Sequence, residues 1–248
     1  MNKNNSLAEP HRPEPRPEGY DPRSFTPFAV TVDIVLMTVV GHALKVLLIQ
    51  RGQPPYEGAW ALPGGFVQPE EDLADAAARE LAEETGIEAD RARLLQLGAY
   101  GRPGRDPRMR VVTLAYGAVV ARLEQAPRGG GDAAHAELVA VADVQSDRLR
   151  LAFDHRLIVD DAVARLRSEL DTGDVATGFC PPEFTIRELR EVYEAILQTE
   201  LDSGNFIRKV TRRDGFISPT GGRVAPGDRG GRPATLWRAG DPEGPGEG

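Results

Sequence analysis

The sequence predicts an α+β protein in two parts: a sheet-and-helix domain, then a smaller helix-turn-helix domain with a β wing. Three observations carry this. Residues 29–37 and 44–50 are rich in β-branched residues and flank Gly41-His42, which predicts a hairpin. A Glu-rich stretch from Glu71 has helical periodicity and stops at Gly86, a residue suited to the left-handed conformation past a helix end. Near the C-terminus, Thr185-Ile186-Arg187-Glu188 has the form of a capping box and opens the first of two short amphipathic segments.

Residues 1–24 are rich in Asn, Pro, Glu and Arg, offer little to bury, and read as a disordered arm. Their mixed charge makes an arm that reaches DNA the weaker reading. After the hairpin, residues 51–58 form a loop, and Ala59-Trp60-Ala61-Leu62-Pro63 reads as a strand entering a Gly64-Gly65 turn, with Trp60 in the core. The helix that follows starts near Glu71 or Asp72. At about 100° per residue, Glu80, Glu83 and Glu84 share one arc beside an apolar stripe of Leu73, Ala77 and Leu81. Like charges three and four apart cost roughly 0.2–0.5 kcal/mol per pair, so the cluster gives the helix nothing structural. Its chemistry suits a hard cation, since Mg²⁺ is held by one or two carboxylates together with substrate phosphates.

This stretch resembles the Nudix box, G-x5-E-x7-R-E-U-x-E-E-x-G-U with U aliphatic. Gly65, Glu71, Arg79, Glu80, Leu81, Glu83, Glu84, Gly86 and Ile87 fill every fixed position. The resemblance implies an α/β/α sandwich with a mixed sheet over residues 25–170. It implies cleavage of a nucleoside diphosphate linked to another moiety. Glu80, Glu83, Glu84 and the Gly64 carbonyl would hold Mg²⁺, with Mn²⁺ as the alternative. Glu83 and Glu84 would take part in catalysis, with Arg79 orienting a carboxylate such as Glu71. The loop containing Arg51 would line the substrate cleft.

Residues 94–100 and 110–120 read as two further strands around a polar loop that carries Arg102, Arg105, Asp106, Arg108 and Arg110. Guanidinium groups recognise phosphate bidentately, so a diphosphate ligand is their natural counterpart. Arg105-Asp106-Pro107-Arg108 before a Val-rich strand, with Pro103 sixteen residues past Ile87, resembles the ADP-ribose-handling branch of the family. By that resemblance Arg51, Pro103, Arg105 and Arg108 would contact an ADP-ribose-like or nucleotide-sugar ligand. Residues 124–136 form a Gly-rich loop where the family often keeps a catalytic carboxylate, and Asp132 and Glu137 are both candidates. His155 opens an amphipathic helix through Leu170; it reads as packed by Phe153, with a general-base role as the alternative.

Residues 171–182 hold turn formers and read as a linker. In residues 183–239, one helix carries Leu189, Val192, Tyr193, Ile196 and Leu197, and a second runs from Asn205 to about Arg212. A Gly-rich loop and Pro233-Ala234-Thr235-Leu236-Trp237 then suggest a wing. Residues 203–238 hold eight basic side chains against two acidic ones, whereas the whole chain has a formal net charge of −8. A local basic face on an acidic chain points to duplex DNA, with Asn205, Arg208, Lys209 and Arg212 on the second helix and Arg223 and Arg229 on the wing. A dimerisation or accessory module is the alternative. Phe184-Thr185-Ile186-Arg187-Glu188-Leu189 and the later Gly231-Arg232-Pro233-Ala234 resemble the C-terminal half of Nudix-related transcriptional regulators. Such proteins repress genes of NAD metabolism. Residues 240–248 read as a disordered tail.

The chain's 248 residues allow one large domain or two modest ones. Its negative charge argues against coating nucleic acid or an anionic membrane with the whole surface. The single Cys180 forbids an internal disulfide, and no apolar run reaches the length of a membrane span. The expectation is a cytoplasmic homodimer. Two functions fit: a ligand-responsive regulator that retains hydrolase chemistry, or a plain hydrolase whose C-terminal domain dimerises or covers substrate.

Overall fold

The computed structural model describes residues 17–88, 94–121, 123, 126–146, 148–172, 174–225 and 233–240. Residues 1–16 of the expected arm, the tail beyond Gly240, and Arg229 lie outside them.

β1 (Ala29–Val40) alternates strictly. Val32, Ile34 and Leu36 bury on one side of the sheet, and Val35 and Met37 on the other. It turns at Gly41-His42 into β2 (Ala43–Arg51), and the two pair antiparallel from Met37↔Val46 to Val40↔Ala43. Beyond that point they part. β3 (Trp60–Ala61) then pairs with β2, and β4 (Gly64–Phe66) pairs antiparallel with residues 31–33 of β1. Gly64 and Gly65 are therefore strand residues on the edge β1 exposes, not the turn their sequence suggests. Gly64 lies so close to β1 that a Cβ there would sit 2.2 Å from the Val32 carbonyl oxygen, which only glycine avoids.

β5 (Leu95–Tyr100) and β6 (Val111–Val119) pair antiparallel, and β6 runs parallel to β1 over nine residue pairs, so the sheet is mixed. β7 (Ala133–Ala140) covers the free edge of β2. The Ala-rich sequence of β7 gave no strand signal, and neither did the short α2 (Val141–Gln145) behind it.

α1 (Leu73–Thr85) lies on one face of the sheet, with Ala76, Ala77 and Leu81 against Val32, Ile34, Leu36 and Tyr116. Asp72 caps its start and Gly86, at φ 72°, ends it. α3 (His155–Glu169) lies on the other face, burying Ile158, Val159, Ala162, Val163 and Leu166. The layers are thus helix, sheet, helix.

The stretch expected as a linker is packed rather than free. A 3-10 turn at Val175–Phe179 buries Ala176 and Phe179, and Cys180 follows them inward. α4 (Ile186–Leu197) begins in the expected capping box: Thr185 Oγ1 accepts from the Glu188 N–H at 3.2 Å, and the Thr185 N–H donates to Glu188 Oε2 at 2.7 Å. α5 (Ser203–Thr211) starts two residues before the expected Asn205, because Asp202 caps it through the Asn205 N–H at 2.8 Å. β8 (Ile217–Val224) and β9 (Ala234–Ala239) form the wing hairpin. Phe184 and Trp237 exchange backbone hydrogen bonds of 2.8 Å each way, tying the wing to the start of α4. One apolar core runs from Val35 and Leu48 through Ile158 and Phe179 to Tyr193 and Phe206. No helix in the described residues is long and apolar enough to cross a membrane.

Candidate functional site

The opening between β1 and β2 brings the glycines of β4 against α1. Glu84 is buried, and its Oε2 accepts from the Gly64 N–H at 2.8 Å. Glu80 lies against the neighbouring glycine, where a Cβ on Gly65 would meet its carboxylate at 2.3 Å. Burial pushes the Glu84 carboxyl up to about 8; the Gly64 N–H opposes this and Glu80 adds to it. Burial also raises Glu80, against the pull of Arg79. Two carboxylates held in low dielectric at electrostatic cost make a site that a cation would relieve.

Arg79 binds the rest of the acidic cluster. Its guanidinium donates to Glu71 at 2.6 and 2.9 Å, to Glu80 at 2.7 Å and to Glu83 at 3.2 Å. The Arg79 hydrogen bonds, helped by the Gln68 N–H, bring the Glu71 carboxyl down to about 2. Glu83 leans onto Arg79 with its side chain 56% exposed, rather than joining Glu80 and Glu84. Among the described residues no three carboxylate, imidazole or thiolate groups gather as a metal cage. The donor set fits a hard cation that takes two carboxylates and completes its shell with water and phosphate oxygens.

A cleft of about 120 Å³ opens beside Glu84, lined among others by Arg51, Phe66, Arg108, Asp132 and Phe153. Arg51 donates from Nε to the Pro55 carbonyl at 2.8 Å and stacks over Phe153 at 5.1 Å. Arg108 stacks over Phe66 at 5.1 Å and Phe153 at 5.8 Å. Burial, then repulsion by Arg108, lowers Arg51, so the pair of guanidiniums favours an anion between them. Tyr56 and Phe153 meet edge to face at 4.9 Å, both on left-handed backbones at φ 63° and 51°. Such backbones cost on the order of 1–3 kcal/mol and cluster at functional sites. Asp132 faces the cleft, held by Gln53 Nε2 at 2.9 Å, whereas Glu137 sits on β7, outside the cleft lining and exposed, beside His135 at 3.5 Å. Asp132 is therefore the loop carboxylate that reaches the site. Arg108 also pairs with buried Asp106 (Nη2 to Oδ2 2.7 Å), so we expect Arg108→Ala to weaken ligand binding by about 1.5–3 kcal/mol, read by calorimetry, and to lower the melting temperature as well. Unchanged affinity would remove Arg108 from the site.

Arg105 lines the same cleft but is held far more deeply. Arg102, Pro103, Gly104 and Arg105 form a turn, with the Arg105 N–H on the Arg102 carbonyl at 3.1 Å and Gly104 at φ 79°. Pro103, exposed on this turn, shapes the chain and makes no cleft contact. The turn sends Arg105 inward. Its side chain is 4% exposed, doubly bonded to Asp154 (Nη2 to Oδ1 2.6 Å, Nε to Oδ2 3.0 Å) and 3.4 Å from Asp33. Burial pulls the Arg105 guanidinium down, but Asp154 and Asp33 together outweigh it and hold it above its ordinary value. So committed, Arg105 ties the loop to Asp154 and Asp33 at the lining of the cleft. His155 lies in the same cluster, packed by Phe153 at 5.2 Å. Its Nδ1 accepts from the Leu62 N–H at 2.8 Å, and Nε2 faces Asp33 at 3.4 Å. Burial lowers its pKa, and with both nitrogens engaged it has no face left for general-base work.

The sequence reading missed Asp33, Asp154 and Phe66, and saw Phe153 only as packing for His155. Asp33 did carry a signal, because a carboxylate inside an apolar strand implies a buried partner. The rings carried none.

In the second domain, Asn205, Arg208, Lys209 and Arg212 all lie exposed on or just past α5, and Arg223 is exposed on β8. Phe206 and Val210 turn inward to the core. Arg208 donates to Asn205 Oδ1, and Lys209 pairs with Asp171 at the end of α3.

Comparison with known proteins matches a NUDIX domain family model to residues 27–162 and an NrtR DNA-binding winged helix domain to residues 177–239. The ADPR-responsive transcriptional repressor NtrR of Acinetobacter baylyi is 36% identical over 211 residues, covering 84% of this chain and 81% of that one. The ADP-ribose pyrophosphatase of Methanocaldococcus jannaschii is 38% identical over 117 residues, 47% of this chain and 64% of its own. The crystal structure of Shewanella oneidensis NrtR complexed with a 27mer DNA superposes with a TM-score of 0.69 at 32% identity, covering 86% and 94% of the two chains.

Proposed function

The chain belongs to the NUDIX domain family, with an NrtR-type winged helix at its C-terminus, and from that premise we propose that it is an ADP-ribose-responsive DNA-binding regulator that also hydrolyses its ligand. The observation that carries the reading is the joining, through one apolar core, of a filled Nudix box beside an arginine-lined cleft to an exposed basic helix and wing.

In this reading Arg51 and Arg108, each backed by an aromatic ring (Phe153, Phe66), bind the diphosphate. Glu80 and Glu84, with the Gly64 peptide beside them, would hold Mg²⁺ or Mn²⁺. A bound cation there supplies neutralisation of the diphosphate and a more acidic water. Asp132 would accept a proton from an attacking water, a role its position on the cleft lining supports. Arg79 fixes Glu71, Glu80 and Glu83 in register. The filled box favours retained hydrolysis over pure sensing. The protein acts as a homodimer, as two-fold operators would require.

Asn205, Arg208 and Arg212 face the major groove, while Arg223 meets phosphate from the wing. Arg223→Ala should weaken all duplexes alike and lower the salt slope by about one unit. Arg208→Ala should lose about 1–3 kcal/mol of discrimination at one base position. The test is a binding titration on DNA beside the protein's own gene and on promoters of NAD metabolism, at two salt concentrations, with and without ADP-ribose. If no fragment binds better than random duplex under any condition, the regulator reading fails.

A further inference from the structure

Asp154 stands at the N-cap position of α3 yet makes no capping hydrogen bond to its own helix. It gives its carboxylate to Arg105 instead, in a bidentate pair that is buried on the arginine side. The next residue, His155, accepts from Leu62, two positions before the glycine whose N–H meets Glu84. The first turn of α3 is therefore held by both walls of the ligand cleft. Its other end is held by the helix-turn-helix. The buried Tyr193 hydroxyl of α4 donates to the Leu170 carbonyl at 2.7 Å, and Arg167 Nε donates to the Ile196 carbonyl at 3.1 Å. Between the two grips run fifteen residues of helix, about 22 Å, with one face packed in the core. Tyr193 in turn meets Phe206 of α5 edge to face at 5.0 Å.

We propose that α3 is the strut through which the ligand cleft acts on the DNA-binding helices, gripped at the cleft by Arg105 through Asp154 and at the far end by Tyr193 through the Leu170 carbonyl. The inference rests on the regulator reading and specifies its transmission. Arg108 and Arg105 share one short loop. Arg108, 40% exposed, faces the cleft, and Arg105, buried at the cleft lining, is bonded to Asp154 at the start of α3. An anion that draws Arg108 moves the loop, and the Arg105–Asp154 pair passes that displacement to the helix. Packed helices shift as units, so the displacement arrives at α4 and α5. A ligand alters DNA affinity only by binding the two arrangements differently, and this loop is where it can do so.

The test measures the coupling factor: the ratio of DNA dissociation constants with saturating ADP-ribose and without it, on a duplex enriched from a random library by the wild-type chain. Asp154→Asn keeps the shape but breaks the bidentate charge pair, and Tyr193→Phe removes only the far hydroxyl. Both are used as full-length chains whose melting is confirmed to be cooperative. Wild type should show a factor of about 5–150. Each variant should bind ADP-ribose alone and DNA alone within about threefold of wild type, while its coupling factor falls towards one. A purely structural role would leave the factor intact, whatever the variant does to the melting temperature. Wild-type coupling in both variants overturns the strut while the regulator reading stands. A wild-type chain with no coupling sinks the reading itself, and the strut with it.

Discussion

Glu84→Gln should cut Mg²⁺-dependent cleavage of ADP-ribose by on the order of a thousandfold or more while making the metal-free protein more stable. The two effects have one origin. Glu84 is buried beside Glu80, and its pKa stands at about 8 in the folded chain. The ordinary glutamate value is about 4.3, so the folded state holds a proton that the unfolded state has released. The stability tied to that proton is fully present below about pH 4.3. It is lost as pH rises towards 8. Gln keeps the shape and an acceptor for the Gly64 N–H without the charge. The melting temperature of the variant should therefore exceed that of wild type by an amount that grows between pH 5 and 8, up to a few kcal/mol in equivalent stability. Added Mg²⁺ should stabilise wild type and leave the variant unmoved. Wild-type turnover in Glu84→Gln would remove this carboxylate from the metal site, and a pH-independent difference in melting would remove the electrostatic account.

Arg105→Ala should destabilise the fold by about 3–5 kcal/mol, the largest stability loss expected of any charged residue in the cleft region. Truncation leaves Asp33 and the inner part of Asp154 without their counter-charge, and His155 cannot replace it without being protonated against burial. The loss should appear in urea denaturation as a lower midpoint with an unchanged slope. Its neighbour Arg108, half-exposed and paired with Asp106 alone, should lower the midpoint by less when changed in the same way. If the two substitutions cost the same stability, the division of the loop into an inward and an outward arginine is wrong.

That division shows where the sequence was legible and where it was not. The acidic helix, its cap and its stop were readable because capping and periodicity are local properties, as were the box at Thr185 and the pairing of α4 with α5. The mixed sheet and its helix layers came from the family resemblance rather than from any pattern in the strands. β7 escaped notice because its stability comes from the edge of β2, which its Ala-rich sequence does not announce. Gly64 and Gly65 looked like a turn for the same reason: their partners are Asp33 and Val32, on a strand edge far earlier in the chain. Arg105 and Arg108 share a type, a loop and a charge, and sequence gave them one role. Only the turn at Pro103-Gly104 and the placing of Asp154 across the loop separate them.

The central parallel pairing of β1 with β6, from Ala29↔Val111 to Met37↔Val119, has a kinetic consequence. The chain must close a loop of about eighty residues before these strands reward it, a non-local contact of the kind that slows folding from microseconds towards milliseconds or longer. α4 and α5 carry their own caps, yet α4 packs against β2, α3 and β9 as well as α5, and Tyr193 and Phe206 belong to a core whose other half waits on that closure. During synthesis the sheet cannot be completed until residue 119 and the β7 strand beyond it have left the ribosome. Until then β1 presents an unpaired, strongly apolar edge, the stretch of this chain most exposed to misassociation before the fold is closed.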